Sequence, residues 1–367
     1  MLKRFAETVS QGGHPVYRQV LDALKLRLRR PPVGISEYFD HGIWHRSITP
    51  ELRDQFIGWR QSALLDQTLN LNPSRVLAND KLITCLILQA KGLAIPEPVA
   101  TYSLQGRAIA HEQKLPTLDA VRRFLAEDFY PFYVKPISGG YGRHVLGVET
   151  REGENLRLMD GSLLAVDDFL KPFEFKPYQG MLFQRPLKAH ADIASVTGTD
   201  AVSCVRFICL IAPSGPVIHT AFWKITVGKN MLDNFSHGHF GNNLGAIDLA
   251  SGKITRAISK VGPGGEVSQH AGTGRALVGF TLPEWQRAVD LVLQASAHFP
   301  GLRLQNWDVA MCREGPVLIE LNTESEMDLP QAISGRGLMD DHMQQLLAEI
   351  AEGDAAVKAS IASRPES

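Results

Sequence analysis

Three side chains with oxygen donors stand near one another in the sequence: Asp308, Glu320 and Asn322. Asp308 lies in the apolar run Asn306-Trp307-Asp308-Val309-Ala310, and Glu320-Leu321-Asn322 follows after Arg313-Glu314-Gly315-Pro316. That polar segment reads as a hairpin turn between two strands. A three-residue loop ending in Gly315, with glycine at the left-handed position, pairs Cys312 with Pro316. Four residues back along each strand, Asp308 then faces Glu320. Asn322 falls on the same side, because strand side chains alternate with period two. Hard oxygen ligands converging from a rigid ribbon suit Mg²⁺ that also holds phosphate oxygens. A solvated hairpin face, where carboxylates are common, is the alternative for the same pattern. On the metal reading, Asp308→Asn loses metal-dependent turnover with little loss of fold.

Cations and glycines supply the complementary chemistry. Tyr133-Val134-Lys135-Pro136 ends a strand and enters Ser138-Gly139-Gly140-Tyr141-Gly142. A glycine-rich turn lets backbone N–H groups approach an anion closely, and Lys135 can neutralise the same phosphate. The segment is neither a Walker loop nor a dinucleotide fingerprint, and an ordinary glycine hairpin is its alternative. Lys81 falls in the first turn of a helix, where a cation opposes the helix dipole. A bound phosphate would reverse that penalty, and plain exposure to water would remove most of it. Arg206 and Lys224 sit on adjacent apolar strands, where an unpaired buried cation is costly. They either pair with Asp308 or Glu320, or stabilise negative charge on a transferring phosphoryl group. Asn234 is a further polar candidate. Leu182-Phe183-Gln184-Arg185-Pro186-Leu187 reads as a strand edge whose backbone could hold adenine, with His190 or Asp192 beyond it for a ribose; a surface loop is the alternative. His237 and His239 form a His-X-His pair without a recognisable third ligand, and read as part of a loop over substrate rather than a zinc site. His270, in another glycine-rich loop, has the same ambiguity.

These residues need elements to position them. Helical spacing and proline stops predict helices over 14–30, 51–71, 79–90, 118–129, 282–299 and 337–351. Strands are predicted over 99–102, 132–136, 145–149, 181–184, 203–212 and 217–227, before the hairpin around Gly315. The cluster Lys25-Leu26-Arg27-Leu28-Arg29-Arg30 reads as the end of an amphipathic helix, where cations suit the negative dipole end, rather than a nucleic-acid or membrane patch.

Bulk properties exclude several classes. With 38 Lys and Arg against 39 Asp and Glu, the chain lacks the basic footprint of general nucleic-acid binding. Cys85, Cys204, Cys209 and Cys312 lie far apart in apolar runs, without metal spacing or a disulfide framework. No apolar run reaches spanning length, and the opening Met1-Leu2-Lys3-Arg4-Phe5 does not resemble a leader. The expectation is a cytoplasmic protein of two or three domains, or one composite enzyme, with no nucleic-acid partner and no membrane insertion; attachment to a membrane complex through a partner is the alternative.

The order Asp80-Lys81, Ile95-Pro96-Glu97-Pro98, Val134-Lys135-Pro136 with its glycine loop, Gln184, Arg206, Asp308 and Glu320-X-Asn322 resembles the ATP-grasp superfamily. Asn306-Trp307-Asp308-Val309-Ala310, Gly315-Pro316-Val317-Leu318-Ile319-Glu320-Leu321-Asn322 and Asp233-Asn234 are similar to its sugar-transfer-associated members, relatives of the α-L-glutamate ligases. The resemblance covers residues 77–350. It implies an α+β ATP-grasp fold in which two α+β lobes clasp ATP. The corresponding divisions are an N-terminal helical extension over 1–76, a pre-grasp α/β region over 77–130, a lid subdomain over 131–190, and a C-terminal subdomain over 191–367 with the metal site. It further implies that Lys81 and Lys135 contact ATP phosphates under the loop of Ser138, Gly139, Gly140 and Gly142. Gln184, Arg185 and Leu187 would hold adenine, with His190 nearby. Asp308, Glu320 and Asn322 would bind Mg²⁺, two ions in all. Arg206 would face the transferring phosphoryl group, with Lys224 where relatives tend to carry arginine. The activity implied is a carboxylate–amine ligase working through an acyl-phosphate on small-molecule substrates, on a precursor of surface polysaccharide, with a homodimer allowed. A small-molecule or sugar kinase on the same fold is the second reading, and a nucleotide-binding scaffold without catalysis the third.

Overall fold

The computed structural model of the chain describes residues 2–109, 112–139, 144–175, 180–228, 230, 233–235 and 238–362. Two seven-stranded sheets organise it. The first contains β1 (Pro98–Tyr102), β2 (Gln113–Leu115), β3 (Phe132–Pro136), β4 (Leu146–Glu152), β5 (Asn155–Leu158), β6 (Leu163–Ala165) and β7 (Met181–Gln184), in the order β2-β1-β7-β3-β4-β5-β6. The second contains β8 (Cys204–Ala212), β9 (Gly215–Ile225), β10 (Asn243–Asp248), β11 (Lys253–Ile258), β12 (Glu266–Val267), β13 (Leu304–Cys312) and β14 (Gly315–Asn322), in the order β12-β11-β10-β9-β8-β13-β14. The division expected at residue 130 runs between strands that share the first sheet.

Alternation along the strands sorts each sheet into a core face and a working face. In the first sheet, Phe132, Val134 and Phe183 join Val121, Phe124, Phe169 and Phe173 in one buried cluster. The rings of Phe124 and Phe183 meet edge-on at 5.1 Å between centroids, a favoured aromatic geometry. Lys135 and Leu182 are register partners on the opposite face, against the helix Lys81–Ala90. In the second sheet, Val205, Phe207, Trp223, Trp307, Val309 and Leu321 pack with residues of the helix Trp285–Ser296. Arg206, Lys224, Asp308 and Glu320 take the alternate positions on those strands and face the other way.

Elements read from the sequence differ mostly at their ends, with one clear correction. The stretch 51–71 is not one helix but two, Pro50–Asp54 and Trp59–Leu69. The break is held by Glu37, whose carboxylate accepts from the N–H groups of Gly34 and Trp59. Gly58 is required there, because an added Cβ would lie 2.9 Å from the Pro32 carbonyl oxygen. Strands β10 to β12, the helix Val166–Phe175 and the helix Ala191–Thr197 were not read from sequence.

Candidate active site

The site is assembled from the exit of β3, the start of one helix, and the working face of the second sheet. Asp80 caps the helix Lys81–Ala90, its Oδ1 accepting from Ile83 N at 3.1 Å, as short polar side chains do at helix starts. Arg107 Nη2 holds the other carboxylate oxygen at 2.6 Å. The helix start is tied to the strand exit, since Lys81 N donates to Ile137 O at 2.9 Å and Asp80 bridges Ser138. Lys81 Nζ then donates to Gly139 O and lies 2.9 Å from Glu320 Oε1.

Lys135 is buried, and among the described residues its polar contact is Ile319 O at 3.4 Å. Burial pulls the pKa of its ammonium below the ordinary lysine value; Cys85 and Glu320 oppose that shift and Lys81 adds to it. A cation so thinly compensated is costly where it stands, and an anion beside it would relieve that cost.

The hairpin carrying the carboxylates reaches the expected register by a different route. Cys312 pairs with Gly315, not Pro316, so the turn has two residues rather than three. A bulge between the Val309–Leu318 and Asp308–Glu320 pairs leaves Ile319 over, which returns Asp308 to its place opposite Glu320. The two one-residue differences cancel. Bulges redirect local groups, and the carbonyl of Ile319 is the one that meets Lys135.

Across β14, β13 and β8 run the register partners Glu320, Asp308 and Arg206. Arg206 grips Asp308 with two hydrogen bonds, Nε to Oδ1 at 2.9 Å and Nη2 to Oδ2 at 2.8 Å. Its Nη1 reaches Glu326 Oε2 at 2.9 Å. Lys224 Nζ lies 3.2 Å from Asp308 Oδ2 and 3.1 Å from Asp233 Oδ1. Burial works against the charges of Asp308, Lys224 and Arg206, and pairing outweighs it. Asp308 is held well below the usual carboxylate range by Arg206 and Lys224. Asp233 and Asp308 raise Lys224, and Asp308 with Glu326 raises Arg206. Of the two roles read for Arg206 and Lys224, ion pairing with Asp308 is therefore present. Asp233 and Glu326 are members that sequence reasoning missed as ligands. Asp233 stood in the motif with Asn234, whereas Glu326 lies in a loop without a pattern and has φ +41°.

The oxygen donors suit a hard cation. Asp308 and Glu320 share one face, and Asn322 follows on the same strand. The side chains Asn306 and Asn322 leave Oδ1 and Nδ2, respectively, buried without a partner, and exchanging the Asn322 amide atoms would present an oxygen. Among the described residues, no group of three His, Cys, Asp or Glu residues is gathered to hold a metal. This donor set therefore fits an ion that takes its remaining ligands from a bound molecule or water.

Other predicted residues divide by role. Gln184 is buried with Nε2 donating to Pro96 O at 3.3 Å, and Arg185 N donates to Glu97 O at 2.9 Å. The Arg185 guanidinium donates to Phe129 O. Leu187 packs with Val317 and Ile319 against Cys204, Ala310 and Cys312, so 184–187 crosses from one sheet to the other. His190 caps the helix Ala191–Thr197, its Nδ1 accepting from Asp192 N at 3.2 Å. Asn234 O accepts from Asn242 Nδ2 at 2.7 Å. His270 is a buried structural group, with Nε2 2.8 Å from Thr226 O. Gly140, Gly142 and His237 lie outside the described residues. All four cysteines are free and buried.

Residues 60–346 match the family model described as sugar-transfer associated ATP-grasp. The chain belongs to that family. It has the α+β ATP-grasp fold, with helices preceding the two lobes. Among solved structures it is similar to the D-alanine–D-alanine ligase from Bacillus anthracis, at 13% identity and a TM-score of 0.42, covering 82% of this chain and 76% of that one. Biotin carboxylase from Campylobacter jejuni matches at 10% identity and a TM-score of 0.46, covering 80% and 52%. The D-alanine–D-alanine ligase from Coxiella burnetii matches at 11% and 0.44, covering 83% and 68%. The chain spans between about half and three quarters of the length of these three structures. No curated protein matches it.

Proposed function

We propose that this ATP-grasp protein is an ATP- and Mg²⁺-dependent ligase that joins a small-molecule carboxylate to an amine or related nucleophile. The observation that carries the proposal is the meeting of two cation sets around one acidic ribbon. Lys81 and Lys135 arrive from one side, at Glu320 and the Ile319 carbonyl beside it, and Arg206 and Lys224 from the other, at Asp308. On the division read from the sequence, the pre-grasp region 77–130 and the lid 131–190 would bring the lysines, and the C-terminal subdomain 191–367 the acids.

In this proposal the chain's work is positioning and charge compensation. Lys135 supplies the buried positive charge that a triphosphate lacks in water. Lys81, poised between Gly139 O and Glu320, follows the loop of Ser138 and Gly139 onto the phosphates. Gln184, Arg185 and Leu187, on the crossing between lobes, offer backbone for adenine, with His190 at its far end. Asp308, Glu320 and Asn322 would hold Mg²⁺, which when bound supplies charge neutralisation of phosphate oxygens. Arg206, with Lys224 beside it, faces the group transferred from ATP to the carboxylate, and the amine then displaces phosphate from the acyl-phosphate. Asn234 lies beside Asp233 on the acceptor side. The substrate class proposed is a sugar or amino-acid precursor of a surface polysaccharide, handled in the cytoplasm.

The test is product identification. Purified protein with ATP and Mg²⁺ is offered carboxylates with amines, and separately hydroxyl acceptors. ADP and phosphate released together with an amide of the expected mass support the ligase. A stable phosphate ester would make the chain a kinase instead, and absence of Mg·ATP binding by calorimetry would remove the enzyme reading.

A further inference from the structure

The helix Val16–Leu28 carries a second surface that the site does not use. Its buried side consists of Gln19, Asp22, Ala23 and Leu26. At 100° per residue, the opposite side is formed by Tyr17, Leu21, Leu24 and Leu28, within an arc of roughly 60°. These four are 70%, 55%, 48% and 80% exposed, respectively. Large apolar side chains spaced i, i+4, i+7 and i+11 ordinarily mark a buried helix face, yet here they form a crest open to water about 16 Å long.

The charged side chains that flank the crest are all cations. Arg18 and Lys25 lie along one edge and Arg27 along the other, with Arg30 just beyond the helix. The one acid of the helix, Asp22, is on the buried side, where Arg53 Nη1 holds it at 2.6 Å. Residues 1–30 contain seven Lys or Arg and two Asp or Glu, in a chain whose formal net charge is −1. The basic cluster at 25–30 thus ends a helix, as its sequence indicates, and also borders an apolar surface.

We propose that this face docks on an anionic lipid bilayer, with the helix lying in the plane of the interface. An apolar crest with cationic borders has the chemistry of an interfacial helix: the leucines and tyrosine enter the acyl boundary, while Lys and Arg stems reach back to headgroup phosphates. A second copy of the chain fits less well. Crest against crest would set Arg18, Lys25 and Arg27 against their equivalents, with no exposed acid on the helix to pair them. No helix among the described residues is long and apolar enough to cross a membrane, so the contact proposed is peripheral.

The test is partition of the full chain onto vesicles of equal parts phosphatidylglycerol and phosphatidylcholine, followed by sedimentation. Wild-type protein should bind these vesicles, bind pure phosphatidylcholine weakly, and be released by salt. Neutralising Lys25 or Arg27 as glutamine should lower the partition coefficient about fivefold per charge. The double variant Leu21→Gln, Leu28→Gln should lower it about tenfold or more, with an unchanged melting temperature because both side chains are exposed. Failure of the wild type to bind anionic vesicles, or undiminished binding by the leucine variant, would overturn the proposal. So would a dimer in light scattering that the leucine substitutions dissolve, which would give the face to a second copy.

Discussion

Replacing Asp308 by asparagine removes one charge from a cluster in which Lys81, Lys135, Arg206 and Lys224 face Asp233, Asp308, Glu320 and Glu326. Asp308 accepts two bonds from Arg206 and one from Lys224, all within 3.2 Å. Removing one partner of a buried pair costs about 3–5 kcal/mol. Arg206 keeps Glu326 and Lys224 keeps Asp233, so the lower end, about 3 kcal/mol, is expected. This prediction differs from the sequence-based expectation of little loss of fold, because Asp308 neutralises two buried cations as well as offering oxygens to a metal. Glu320→Gln is the control: its side chain is 24% exposed and meets Lys81 at 2.9 Å, and Lys81 also keeps Gly139 O, so its loss should cost about 1–2 kcal/mol. Both variants would be followed by denaturant unfolding without nucleotide, and by thermal shift with Mg²⁺ and a non-hydrolysable ATP analogue. Asp308→Asn should lose about 3 kcal/mol, Glu320→Gln about 1–2 kcal/mol, and both the metal-dependent part of the shift. Because pairing depresses the Asp308 pKa, its contribution holds above the ordinary carboxylate range and is lost as pH falls below it. The gap between wild type and Asp308→Asn should therefore narrow on acidification. A variant as stable as wild type would refute the cluster energetics, and a retained metal-dependent shift would refute the metal assignment.

Lys135→Met should raise the nucleotide-free melting temperature or leave it unchanged, since it removes a buried cation with a depressed pKa, while abolishing the nucleotide-induced shift; a lower melting temperature with binding intact would contradict the phosphate role. Arg206→Lys keeps the charge but not the fork that serves Asp308 and Glu326 together, and should cost about 1–3 kcal/mol in denaturant unfolding; a neutral effect would mean that the bidentate geometry contributes nothing. Asp66 is buried and its pKa is pushed up to about 6, with Ser325 N opposing the shift. Protonated Asp66 favours the fold, so its stabilising effect is complete below about pH 4, fades as pH rises through about 6, and leaves a deficit of about 3 kcal/mol at neutral pH. Denaturation midpoints of Asp66→Asn should lack this decline between about pH 4 and pH 7; parallel profiles would remove Asp66 as its source.

Much of the second lobe was legible because its hairpin is local. The apolar runs around Asp308 and Glu320, with Arg313-Glu314-Gly315-Pro316 between them, put two carboxylates opposite each other by period-two geometry. The Asp80 cap was an equally local signal. The sequence could not show that the hairpin turn is one residue shorter and its second strand one residue longer at Ile319, since either change alone would have turned Glu320 to the core. Nor could it foretell that Glu37 splits 51–71, because that carboxylate reaches Trp59 across 22 positions of chain.

By itself, the sequence determined which residue types could serve phosphate and a hard cation, and the short-range elements that carry them, because alternation, capping and turn chemistry act over a few residues. Tertiary structure decided which charges meet. Arg206 and Asp308 are 102 positions apart, Arg206 and Glu326 120, and Lys135 and Ile319 184. Only the packing of two sheets buries these groups together, and burial makes each charge depend on its partner. The same packing left Tyr17, Leu21, Leu24 and Leu28 uncovered, since a helix buries the side its neighbours reach and exposes the other, whatever its composition.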